Sequence, residues 1–134
     1  MVDGEEAVSR QIKRDTRKHT GQIGEAAACV YLTEANYAIV DRNWRCRSGE
    51  IDIIAERDDR LIFVEVRART AGGRFGTAAE SVDRRKQQKL RDTAQVYLRS
   101  IGRPAASVRF DVIAITLNGM DESIVECKHF ESAF

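Results

Sequence analysis

The chain has 134 residues, 43% of them hydrophobic and 32% charged, with a formal net charge of +1. That is enough for a single domain with its own hydrophobic core, and the composition is that of an ordinary globular protein. No apolar run approaches the length needed to span a bilayer, so no membrane partner is expected.

Residues 1–19 mix charge with few apolar side chains and are expected to form a mobile or helical N-terminal arm. The opening Met1-Val2-Asp3-Gly4-Glu5-Glu6 is acidic and lacks the apolar centre of a secretory signal, which makes the cytoplasm the expected compartment. Residues 20–134 read as one domain. A helix is expected from about Thr20 to Glu34, with Ala26, Ala27, Ala28, Val30, Tyr31 and Leu32 supplying its core face. Tyr37 to Arg47 reads as a first strand, and Ser48-Gly49 as a turn.

The next segment carries the strongest signal. Gly49-Glu50-Ile51-Asp52-Ile53-Ile54 and Leu61-Ile62-Phe63-Val64-Glu65-Val66-Arg67 are apolar and β-branched, and Asp58-Asp59 between them is turn chemistry. A two-residue loop would set Arg57 opposite Arg60, Ile54 opposite Phe63, Asp52 opposite Glu65 and Glu50 opposite Arg67. Side chains alternate along a strand, so these residues would share one face. Directly opposed carboxylates lie roughly 4.5–5.5 Å apart at Cβ and repel each other. Such a pair either holds a hard divalent cation or is neutralised by neighbours such as Arg67 or Arg69.

Thr70 to Gly76 is a glycine-rich loop without phosphate-cradle spacing. A second helix is expected to start at a Thr77–Glu80 capping box, or at Ser81, and to end near Ser100 before Gly102 and Pro104. Ser107 to Thr116 reads as an apolar strand, Asn118-Gly119 as a hairpin-type turn, and Ser123 to Phe130 as an edge strand. Helices and strands in this order give an α/β layer with a mixed sheet.

Three charged residues fall at apolar positions. Lys86 belongs to a stripe of Val82, Leu90, Ala94, Tyr97 and Ile101, and either snorkels outward or reaches a buried anion. Glu25 lines up with Ala28, Cys29 and Leu32; it either answers the helix dipole or adds a carboxylate to the metal site, with Gly21 and Gly24 permitting close approach. Asp111, inside Arg109-Phe110-Asp111-Val112-Ile113, needs a partner, and an arginine is the expected one. Cys29, Cys46, Cys127, His19 and His129 are too scattered for a disulfide framework or a zinc site, and the thiols are expected to be buried and reduced. Seventeen of the 22 basic residues are arginine, the type suited to bidentate phosphate contacts. Arg42, Arg45 and Arg47 crowd the first strand, and Arg84, Arg85, Lys86, Lys89 and Arg91 crowd the second helix.

Taken in order, Gly24-Glu25, Arg42-Asn43, Gly49-Glu50-Ile51-Asp52, Phe63-Val64-Glu65-Val66-Arg67, Val82 with Lys86 and Leu90, and Arg109 to Ile113 resemble the bacterial YraN-like family of predicted endonucleases. The resemblance covers roughly residues 20–134. It implies a restriction-endonuclease-like three-layer fold, with a mixed sheet of about five strands flanked by helices, and the PD-(D/E)xK arrangement found in Holliday junction resolvases. Asp52 and Glu65 would then be the metal-binding acids, joined by Glu25 and the Val66 carbonyl around Mg²⁺ or Mn²⁺. Arg67 falls where the pattern has a catalytic lysine, a role open to Arg67 itself or to Lys86, and Glu50 would orient Arg67. The implied partner is DNA, branched or junction DNA by analogy, contacted by Arg42, Arg45, Arg47, Arg69, Arg85 and Lys89. The same resemblance makes a homodimer a natural assembly.

Overall fold

The computed structural model describes residues 4–72 and 82–134, with side chains described from Val8 onward except those of Ser9, Lys13 and Arg14. Elements follow as α1 (Gly4–Glu34), β1 (Ala38–Cys46), β2 (Gly49–Arg57), β3 (Arg60–Thr70), α2 (Arg84–Ser100), β4 (Val108–Leu117) and β5 (Ile124–Phe130). The five strands form one sheet in the order β1-β2-β3-β4-β5. Neighbours are antiparallel except β3 and β4, which are parallel and connected through α2. This is the α/β architecture expected, a mixed five-stranded sheet flanked by helices. Among the described residues, no helix is long and apolar enough to cross a membrane.

The β2–β3 hairpin closes as the Asp-Asp pair requires. Asp58 and Asp59 have φ of 53° and 59°, the left-handed values of a two-residue hairpin turn, which aspartate tolerates. Pairing then runs from Arg57↔Arg60 to Ile53↔Val64 in the expected register.

Among the described residues, apolar clusters cover both faces of the sheet. Ala28 and Leu32 of α1 pack with Ile53, Ala55, Ile62, Val64, Ile113 and Ile115 on one face. Ala94, Tyr97 and Leu98 of α2 pack with Ile54, Leu61, Phe63 and Phe110 on the other. Each large aliphatic or aromatic chain so buried contributes about 1.5–3 kcal/mol, which is why the inner strands read as nearly continuous apolar runs. Ile51 joins the α2 core along with Ile54, whereas Ile53 faces α1, so the alternation of β2 breaks around Asp52. On β1, Asn43 stands opposite this break with φ of 50°.

Several elements differ from the sequence expectation. α1 begins at Gly4, not near Thr20, yet every described side chain from Val8 to His19 is exposed; its packed part starts where the sequence pattern does. Ala26 and Val30 point to solvent, because the stripe that meets the sheet is Gly24, Ala28 and Leu32. Ile101 is also exposed, as the C-cap of α2, and Thr93 and Leu98 are buried in its stead. The Thr77–Glu80 box and Ser81 lie outside the described residues. The helix is capped by Asp83, whose side chain accepts from the Lys86 N–H at 2.8 Å, worth about 1 kcal/mol. The β4–β5 connection is longer than a two-residue turn, closing through Asn118 N–H to the Ser123 carbonyl at 2.8 Å. The three cysteines are free and only half-buried.

Candidate active site

Asp52 and Glu65 are both buried, at 8% and 7% exposure. They lie one step past the last β2–β3 bridge, where pairing has stopped at Ile53↔Val64. In place of a ladder bond, the Val66 N–H donates to Asp52 Oδ2 at 2.8 Å, which fixes that carboxyl beside β3. The two carboxyls are close enough to share a side-chain hydrogen bond. Lys86 Nζ approaches Glu65 Oε1 from α2 at 3.7 Å, and Arg67 Nε approaches the same oxygen at 3.8 Å. Lys86 therefore reaches inward to the acids.

The electrostatics follow from crowding. Burial, and then the charge of Asp52, push the Glu65 carboxyl up to about 7 against the pull of Lys86 and Arg67. Burial also raises Asp52, opposed by the Val66 N–H. Near neutral pH the pair is poised to share one proton, since like charges this close resist joint ionisation.

Glu25 arrives from α1. A Cβ placed on Gly24 would stand 2.6 Å from the Ala68 Cβ, so only glycine lets the helix lie this close to β3. Gly21 has open space around it and plays no such part. Burial and the Asp52 charge raise the Glu25 carboxyl, while a hydrogen bond from Asn43 and the charge of Arg42 oppose the shift. Asn43 is the member of this constellation that residue-by-residue reading missed. Its signal was available, because asparagine is among the few residues that tolerate the left-handed backbone needed where β1 and β2 distort.

Glu50 does not stand opposite Arg67. β1–β2 pairing continues to Cys46↔Gly49 after β2–β3 pairing has ended, so Arg45 lies across from Glu50 and its Nε meets Glu50 Oε2 at 2.7 Å. Lys89 lies three residues beyond Lys86 on α2, and Arg85 is exposed in the first turn of that helix. Arg42 and Arg47 are exposed on β1 and its turn, and Arg69 is half-buried near the end of β3. Among the described residues, no group of three His, Cys, Asp or Glu side chains forms a ready-made metal cluster. What converges is a carboxyl pair with the Val66 N–H beside it, and a third carboxyl within electrostatic reach.

A mixed sheet layered between helices, with a buried acid pair where two strands part, defines an α/β protein with a polar site at the divergence. Residues 24–115 match the model of a family described as "Uncharacterised protein family UPF0102", and the chain belongs to that family, the one its motifs resemble. A UPF0102 protein of Moorella thermoacetica is 50% identical over 103 residues, covering 77% of this chain and 85% of the relative. One from Pelotomaculum thermopropionicum is 43% identical over 120 residues, 90% of this chain and 98% of its own length. Another from Rhodococcus jostii is 46% identical over 114 residues, 85% and 94% respectively.

Proposed function

We propose that this protein is a metal-dependent endonuclease that hydrolyses phosphodiester bonds in DNA. The observation that carries the reading is the buried Asp52–Glu65 pair, in which Glu65 is raised to about 7 by burial and by its neighbour. A site that holds two acids in so little water favours an added positive charge, and hard oxygen donors suit Mg²⁺ or Mn²⁺. Asp52, Glu65, the Val66 carbonyl and Glu25 would hold the ion. When bound, the ion would make a nearby water more acidic and neutralise charge on the phosphate.

The chain's own groups do the rest. The Val66 N–H orients Asp52, and Glu65, buried beside it, would turn its carboxylate to the same ion. Arg67 offers a planar fork of N–H donors and no acceptor, and so would stabilise charge on the phosphate instead of taking up a proton. Lys86 Nζ, on the same Glu65 oxygen, is the lysine that geometry offers in its stead. Exposed Arg42, Arg45, Arg47 and Arg85 would meet neighbouring phosphates. Branched or junction DNA is the substrate class that the resemblance favours.

The test is incubation of linear, flapped and four-way DNA with Mg²⁺, Mn²⁺ or chelator. Metal-dependent cutting that Asp52→Ala abolishes supports the reading; equal cutting by that variant defeats it. A second reading, a nucleic-acid-binding module without turnover, is favoured by one observation. Two cations, Lys86 and Arg67, already lie within 3.8 Å of Glu65. Salt-sensitive binding without cutting in any metal would select it.

A further inference from the structure

A groove of about 370 Å³ opens between the β1–β2 turn and α2 and is lined by Arg45, Gly49, Glu50, Lys86, Lys89 and Thr93. Lys86 belongs both to this groove and to the acid pair, through its 3.7 Å contact with Glu65, so the two spaces adjoin. The carboxylate in the lining, Glu50, is already engaged by Arg45 at 2.7 Å. Lys89 has no carboxylate within ion-pair distance among the described residues.

The turn comes close to Lys89 and Thr93. Gly49 has φ of 150°, and a Cβ there would lie 3.1 Å from both Lys89 Cε and Thr93 Oγ1. The glycine thus lets the stem of the exposed Lys89 lie against the turn, where the lysine lines the groove. Lys86 and Lys89, three apart on one helix, are neighbours about 5–6 Å apart at Cβ. One cation stands at the acids and the next stands a step further out. Among the described residues the lining has no aromatic ring on which a base could stack, so the chemistry it suits is sugar–phosphate.

We propose that this groove holds the phosphodiester next to the scissile one on the same DNA strand, with Lys89 as its principal cation. The inference rests on the nuclease reading and sharpens it. The substrate must continue at least one phosphate beyond the bond cut, which makes the site selective for internal linkages over nucleotide monoesters. Lys89 is a positioning residue, since it acts on the neighbouring phosphate and not on the reacting one.

The experiment uses the full chain carrying Asp52→Asn, without divalent metal, and a fluorescein-labelled single-stranded 12-mer of deoxythymidine. Adding Lys89→Ala is expected to weaken binding about tenfold and to lower the slope of log affinity against log salt by roughly 0.7, the loss of one single-strand phosphate contact. Lys89→Arg is expected to restore both. Amide resonances of Cys46, Gly49 and Thr93 should shift on addition of the same 12-mer without its label. Unchanged affinity and slope in Lys89→Ala, or shifts that avoid the groove, would overturn the subsite. Cleavage of the same 12-mer by the unmodified protein with Mn²⁺ is read in parallel. Cutting with no groove effect defeats the subsite alone, and groove binding with no cutting defeats the nuclease reading alone.

Discussion

Asp111 and Glu65 stand on the paired parallel strands β4 and β3, and both are buried, yet their surroundings treat charge in opposite ways. Around Asp111 every oxygen is answered. Arg109 forks onto it with Nε to Oδ1 at 2.9 Å and Nη2 to Oδ2 at 2.8 Å, His129 Nε2 meets Oδ2 at 2.6 Å, and the Ser132 N–H donates to Oδ1 at 3.1 Å. Burial alone would raise this carboxyl, but the bonds from His129, Arg109 and Ser132 together hold it below its usual value. A second ring steadies the first: Arg109 also donates to the Tyr37 hydroxyl at 2.7 Å, and His129 Nδ1 pairs with the Tyr31 hydroxyl at 2.9 Å. Glu65, by contrast, has two cations at single-point distances of 3.7 and 3.8 Å and a second acid beside it. The same degree of burial is balanced in one place and left in electrostatic debt in the other. A closed network stabilises the fold, whereas an open one leaves room for a ligand of opposite charge.

The comparison can be broken most severely at Asp111. Replacing it by Ala strands Arg109 and His129 in a dry site, and about 3–5 kcal/mol of unfolding free energy should disappear in urea melts. A loss below 1 kcal/mol would mean that the network is not structural. Next in size is Gly24→Ala. The new Cβ meets Ala68, and overpacking should cost about 1–3 kcal/mol while also displacing Glu25. A variant of unchanged stability would show that α1 lies further from β3.

Titration sharpens the contrast, because the two acids carry opposite signs. Glu65 is raised from 4.5 to about 7 in the folded chain, so the native state holds a proton that the unfolded chain has released. Its contribution is full below 4.5 and is lost as pH climbs to about 7. Asp111 is depressed, so its contribution is present above its ordinary 3.8 and is lost as pH falls through its lower folded value. Glu65→Gln should therefore gain stability relative to the unmodified protein between pH 5 and pH 8, as followed by chemical denaturation at each pH. A gap that moves the other way would contradict the assignment. The smallest change is Arg67→Lys, which should leave stability within about 0.5 kcal/mol and raise the cleavage rate if position 67 serves the reaction. An unchanged rate in an active protein would hand that role to Lys86.

Much of this was legible in the sequence for identifiable reasons. The Asp-Asp turn permits only one tight register, so the hairpin and the adjacency of Asp52 and Glu65 followed from it. Lys86 could be placed near the acids because a lysine inside an apolar stripe must go somewhere polar. Glu50 could not be placed, since the pairing argument assumed that β2 stays bridged to β3 along its whole length. The strands part at Asp52, and the β1 partner then decides what Glu50 meets. His129 was also out of reach: it arrives at Asp111 from β5, a contact set by sheet order and not by any spacing along the chain. The described side chains of the helical arm before Thr20 are exposed from Val8 to His19, so no periodic pattern marked its start.

Calorimetric titration of Mn²⁺ into the apo protein, at pH 6 and pH 8, tests the open acid pair most directly. With Glu65 protonated below about 7, binding at pH 6 should release close to one proton per ion, and binding at pH 8 far less. Asp52→Ala should bind none. Equal binding by that variant, or no heat from either protein at either pH, would contradict the account.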